Sequence, residues 1–180
     1  MNFPLPVFFQ KNISLKTKTY YKMGGLALFF AEPKSFEEIR QAIEFAKNSS
    51  LPIAILGSGS NCVFSDELFE GVVISLERLS HWIWESEDVL YAEAGVSNTE
   101  IAEICLAANR DNAWWMYRMP GQIGASVRMN ARCYGGEISQ ITHQVLTINS
   151  FGELNCYHAS DLFIGYKNTI LMNRPEIVVG

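Results

Sequence analysis

SFEEIRQAIEFAKNSSLPIAILGSGSN, Ser35 to Asn61, reads as a helix, a strand and then a bend of glycine and serine. Ser35 and Glu38 stand at capping-box spacing, with Pro33 just upstream. Phe36, Ile39, Ala42, Ile43 and Ala46 recur at helical spacing, and Glu37, Arg40, Glu44 and Lys47 take the opposite face. The helix is predicted to stop near Asn48-Ser49-Ser50. Pro52 then leads into IAIL (Ile53 to Leu56), read as a short buried strand, and VVISL (Val72 to Leu76) reads as another. Residues 32 to 76 thus form one strand–helix–strand unit.

Beyond residue 80 the pattern partly repeats. VLYAEA (Val89 to Ala94) reads as a strand, Gly95 as a turn, and Ser97 with Glu100 as a second capping box. Ile101, Ile104, Cys105 and Ala108 mark the buried stripe of the helix that follows. Val145 to Asn149 and Glu153 to His158 flank Ser150-Phe151-Gly152 as a β-hairpin would. Glu176 to Val179 read as the beginning of a strand. Strands and helices mix without a long βαβ alternation, which predicts an α+β fold in two lobes, 1–78 and 79–180.

Composition narrows the function. The 180 residues hold 19 acidic against 14 basic side chains, a net charge of −5, which disfavours a nucleic-acid binder. With 48% hydrophobic and 18% charged residues the chain is not of disordered type. Its mean hydropathy of +0.06 implies either a large core or a face that something else covers, by self-association for example. No run approaches the ~18 apolar residues of a membrane helix. MNFPLPVFF is interrupted by Pro4 and Pro6 and lacks a charged start and a cleavage site, so no secretory signal is expected. Cys62, Cys105, Cys133 and Cys156 form no CxxC pair, and His81, His143 and His158 no metal-binding pattern. Reduced thiols, a cytoplasmic setting and no metal site are the expectation.

Two loops are suited to a ligand. Gly57, Ser58, Gly59, Ser60 and Asn61 directly follow IAIL, and glycine lets main-chain N–H groups approach an anion such as a pyrophosphate. A Walker loop is excluded, since no GK[ST] follows. Cys62 replaces the third glycine of a Rossmann fingerprint, although Glu77 lies at the spacing of its acidic residue. A plain Gly/Ser turn is the alternative. The second loop is MPGQIGASVRMNARCYGG, Met119 to Gly136, where small residues permit close approach of a flat ligand. Pro120 stiffens its start, and Asn130 and Tyr134 offer polar anchors. Small residues also serve close packing, so a pair of tight turns stays open here. Two such charge-poor loops in separate lobes suit a dinucleotide lying between them.

LKTKTYYKMGG (Leu15 to Gly25), ILGSGSNCVFSDELFEGVVISL, AEAGVS, MPGQIGASVRMNARCYGGEI and IGYKNT occur in the order and spacing of one family. From about Asn12 to the last residue, the chain resembles the UDP-N-acetylenolpyruvoylglucosamine reductases (UDP-N-acetylmuramate dehydrogenases), flavoenzymes of peptidoglycan synthesis. The resemblance implies a two-lobed FAD-binding domain of the vanillyl-alcohol oxidase type, followed in the family by a substrate domain. It implies FAD as cofactor, NADPH as hydride donor and a UDP-sugar enolpyruvyl ether as acceptor. Residues 57 to 61 match the pyrophosphate loop. Pro120, Gly121, Ile123, Gly124, Ser126, Asn130, Tyr134 and Gly135 fall in the second flavin-binding segment, and Tyr21 to Gly25 in a cofactor-facing turn.

Three departures matter. Tyr166-Lys167 stands where the family has Tyr-Arg, so Lys167 keeps the charge but loses the planar fork. The family's proton-donating Ser or Cys and its catalytic Glu have no counterpart before Gly180, so the chain is expected to lack the substrate domain and be incomplete for catalysis. Trp114, Trp115, Met116, Tyr117 and Arg118 replace small residues before the Pro-Gly turn, either as core or as bulk beside the flavin. Two alternatives remain: a non-catalytic flavin-binding or interaction module, and a half-enzyme whose substrate domain comes from another polypeptide.

Overall fold

The computed structural model describes residues 5–180, in two units. One closes at Leu79 and takes in Ser150–Gly152; the other comprises Ser80–Asn149 and Glu153–Gly180.

In the first unit β1 (Phe9–Ser14) and β2 (Leu26–Ala31) precede α1 (Phe36–Asn48), and β3 (Ile53–Leu56) and β4 (Phe69–Ser75) follow it. The sheet order is β1-β2-β4-β3, with β4 parallel to both neighbours and β1 antiparallel to β2. The strand ahead of the helix therefore ends at Ala31, just short of residue 32. Its sequence LALFFA is an unbroken apolar run, whose periodicity separates strand from helix poorly. α1 forms as the spacing predicts. Ser35 Oγ accepts the Glu38 N–H, and Ile39, Ala42, Ile43 and Ala46 are buried. The Glu38 carboxylate accepts the Lys34 N–H at 2.6 Å, one residue outside the box position. IAIL is corrected from a buried to an edge strand. The chain returns to place β4 between β2 and β3, leaving Ile53 38% and Ile55 39% exposed while Val72, Val73 and Ile74 are fully buried.

The second unit opens with the hairpin β5 (Trp82–Trp84) and β6 (Leu90–Ala92), then α2 (Asn98–Ala107) and α3 (Ile123–Arg128). Short strands β7 (Arg132–Cys133) and β8 (Gly136–Glu137) follow. The expected hairpin is β9 (Gln144–Ile148) with β10 (Leu154–His158). After α4 (Ala159–Leu162) come the hairpin β11 (Phe163–Gly165) and β12 (Asn168–Thr169), and β13 (Ile177–Val178) pairs antiparallel with β9. Ser97 Oγ caps α2 through the Glu100 N–H. The α2 stripe needs one correction: Ile101, Ala102 and Cys105 are buried, but Ile104 is half-buried and Ala108 exposed, because their side faces a groove. The tryptophan pair splits. Trp115 is core at 3% exposure, and Trp114 is 62% exposed.

Ile74→Ala removes a fully buried side chain from the central strand of the first sheet and is expected to cost about 2–5 kcal/mol. A denaturant titration reads this as a lower midpoint at unchanged slope.

Candidate functional site

In the first unit the bend Gly57–Asn61 is braced by the segment 18–25. The Tyr20 N–H donates to Gly59 O at 2.9 Å, and Gly59 sits at φ +66°. A Cβ there would lie 2.2 Å from Lys18 O, so main chain packs on main chain and only glycine fits. The Gly25 N–H donates to Ser65 O at 2.7 Å, and buried Thr19 donates its hydroxyl to Met23 O, which ties the brace at both ends. Ser58 and Asn61 face solvent. Among the described residues, no acceptor meets the main-chain N–H of Ser58, Ser60 or Asn61. These amides are the donors an anion needs, and no basic side chain lies within the bend. Burial pushes the Cys62 thiol above its ordinary range, so no thiolate charge opposes an anion. Tyr21 is exposed, its ring edge-on to Tyr20 at 6.1 Å.

Sequence reasoning missed Ser75. It is the register partner of Leu56, it is 1% exposed, and its hydroxyl has no partner among the described residues. A buried polar atom left unpaired marks a place for a ligand or an ordered water.

In the second unit much of the 120–135 segment is held by its own packing. The Gly124 N–H donates to Ala94 O, and a Cβ on Gly124 would meet Ala94 Cβ at 2.7 Å. Ser126 Oγ donates to Asn98 Oδ1 at 2.9 Å, while Asn98 donates to Pro120 O. Asn130, 1% exposed at φ +47°, gives its amide to Glu137 and to Gly165 O and accepts the Ser139 N–H. The small residues thus serve close packing here, and Asn130 works as an internal strut. Pro120, Tyr134 and Gly135 are exposed, and Gly121 and Ile123 half-buried. Gln122 went unselected in the sequence, yet its Oε1 is buried without a partner among the described residues. One orphaned polar atom thus lies within the second loop, and the other on β4, opposite the residue that precedes the first loop.

Tyr166 and Lys167 form the two-residue tip of the β11–β12 hairpin, with Lys167 at φ +48°. The Lys167 ammonium lies 5.8 Å from the Tyr166 ring centroid. Arg132, also missed, brings its guanidinium to 5.1 Å from the same ring and pairs with Glu137 at 3.5 Å. The planar fork lost at 167 is thus present nearby on another strand. Elsewhere in the unit, Tyr157 donates to Glu176, and its phenol is raised by desolvation and by that bond. Burial lowers the Arg128 guanidinium, opposed by the charge of Glu176.

Residues 27–154 match the model of the FAD binding domain family. Over 170 residues the chain is 32% identical to a UDP-N-acetylenolpyruvoylglucosamine reductase from Clostridium novyi, an alignment covering 94% of this chain and 55% of the relative. The chain spans about half the length of the curated relatives it matches. The crystal structure of UDP-N-acetylenolpyruvylglucosamine reductase from Thermus caldophilus superposes with a TM-score of 0.78 at 24% identity, over 96% of this chain and 60% of that one. 6-Hydroxy-D-nicotine oxidase from Arthrobacter nicotinovorans gives 0.62 at 13% identity, over 75% and 31%. These likenesses bear out the α+β fold of the vanillyl-alcohol oxidase type. Among the described residues no helix is long and apolar enough to cross a membrane.

Gly59→Ala is expected to lose at least about 1–2 kcal/mol, seen as a lower melting temperature, from the left-handed φ alone. Asn130→Ala is expected to cost about 1–3 kcal/mol, because Glu137 loses a buried donor and the Ser139 N–H its acceptor.

Proposed function

Because this chain belongs to the FAD binding domain family, we propose that it is the flavin-holding part of a UDP-N-acetylenolpyruvoylglucosamine reductase and binds FAD without a covalent link. The free amides of Ser58, Ser60 and Asn61 carry this reading, since they are unspent main-chain donors on a bend braced through Gly59. Ser75 Oγ and Gln122 Oε1 support the fit, each a buried polar atom that a polar ligand would satisfy.

Gly57 to Asn61 hold the diphosphate by main-chain donation. Tyr21 lends an exposed aromatic face beside that bend. In the second unit Pro120, Gly121, Ile123, Tyr134 and Gly135 give the contact surface for the ring system, while Gly124, Ser126 and Asn130 keep that surface in shape. FAD, when bound, would supply the hydride-transfer chemistry between NADPH and the enolpyruvyl double bond of a UDP-sugar. Lys167 offers a point charge to the developing enolate, Tyr166 sets its position, and Arg132 adds the guanidinium. The UDP-sugar and the cytoplasmic setting of peptidoglycan synthesis come to this chain as part of the proposal, and no residue of this chain is assigned as the proton donor.

The purified chain is expected to show a flavin absorption spectrum. FAD at about 100 times its Kd should raise stability by about 2.7 kcal/mol, read as a melting shift. Anaerobic NADPH should bleach the bound flavin. A colourless chain with no melting shift in saturating FAD overturns the reading.

A further inference from the structure

In the second unit, β5 and α2 flank a shallow, open groove of about 450 Å³, lined by Trp82, Trp84, Glu100, Glu103, Ile104 and Ala107. The spacing explains how it arises. Trp82 and Trp84 are two apart on a strand and share one face, whereas Glu100, Glu103, Ile104 and Ala107 recur at helical spacing. Both carboxylates lack an ion-pair partner among the described residues, and no Lys or Arg lines the cavity. Arg110, near the C-terminal end of α2, is already held by Asp88 at 2.6 Å and Glu87 at 3.4 Å.

The surrounding charge is one-sided. Residues 80 to 112 hold seven acidic side chains and one arginine, a charge of −6. The whole chain carries −5, so everything outside this stretch sums to +1. The acidity noted in the sequence is therefore local to this hairpin and helix. Indole faces attract guanidinium and ammonium groups, and adjacent carboxylates supply the counter-charge.

We propose that this groove is a docking site for a basic peptide segment of a partner protein, seating a Lys or Arg side chain against Trp82 and Trp84 with its charge on Glu100 and Glu103. A second copy docking here would bring Glu100 and Glu103 against their own like charges, which favours a basic partner over a symmetric dimer.

Calorimetric titration of the full chain with an acetylated peptide of alternating Arg and Ala tests this. Binding is expected at low salt, weakening as salt rises. It is expected to fall about tenfold in the double variant E100Q/E103Q and again in Trp82→Ala. E100Q/E103Q changes only groove carboxylates, and circular dichroism checks its fold. Three results would overturn the proposal: a Kd unchanged in E100Q/E103Q, arginine amide binding as tightly as the peptide, or peptide-free self-association abolished by E100Q/E103Q.

Discussion

Main chain lies directly on main chain where Gly59 meets Lys18 and Thr19, and the candidate site of the first unit depends on that contact. A side chain at 59 would push the bend away from its brace. With hydrogen there, the Tyr20 N–H reaches Gly59 O, and the bend is fixed without using the amides of Ser58, Ser60 or Asn61. The same contact thus gives rigidity and leaves donors free. Such an arrangement suits an anion, because the donors are unspent on a braced bend. The edge position of β3 contributes as well. The chain leaves the sheet at its border, where a bend can face solvent, and Ser75 on the neighbouring central strand lies buried at its root.

The second unit uses similar residue types differently. Gly124 and Ser126 are small because α3 runs hard against Ala94 and Asn98, and Asn130 is polar because three groups of its own unit need it. What remains for a ligand is the outer rim of the segment together with the orphaned oxygen of Gln122. Compact packing lies along α3, and the exposed residues Pro120, Tyr134 and Gly135 lie on either side of it in the chain.

Charge follows the same economy. Arg132 and Lys167 gather around one tyrosine ring at a hairpin tip, while the acidic excess is confined to the stretch containing β5, β6 and α2. Segregation of this kind lets a weakly charged chain present two surfaces of opposite preference.

α1, its cap, the β9–β10 hairpin and the glycine bend were legible because each rests on near neighbours in the chain: a hydroxyl three residues away, a repeat of 3.6, a turn between two apolar runs. Ordered motifs likewise sufficed for the family resemblance. Only tertiary structure decided that IAIL is an edge strand, that Ala108 faces a groove, that Trp114 and Trp115 part company, and that Arg132 stands beside Tyr166. It alone decided, too, which polar atoms are spent within the fold, as in Asn130, and which stay unpaired, as in Ser75 and Gln122. The physical reason is distance along the chain: strand order and hydrogen-bond satisfaction are settled by partners tens of residues away, and local periodicity carries no record of them.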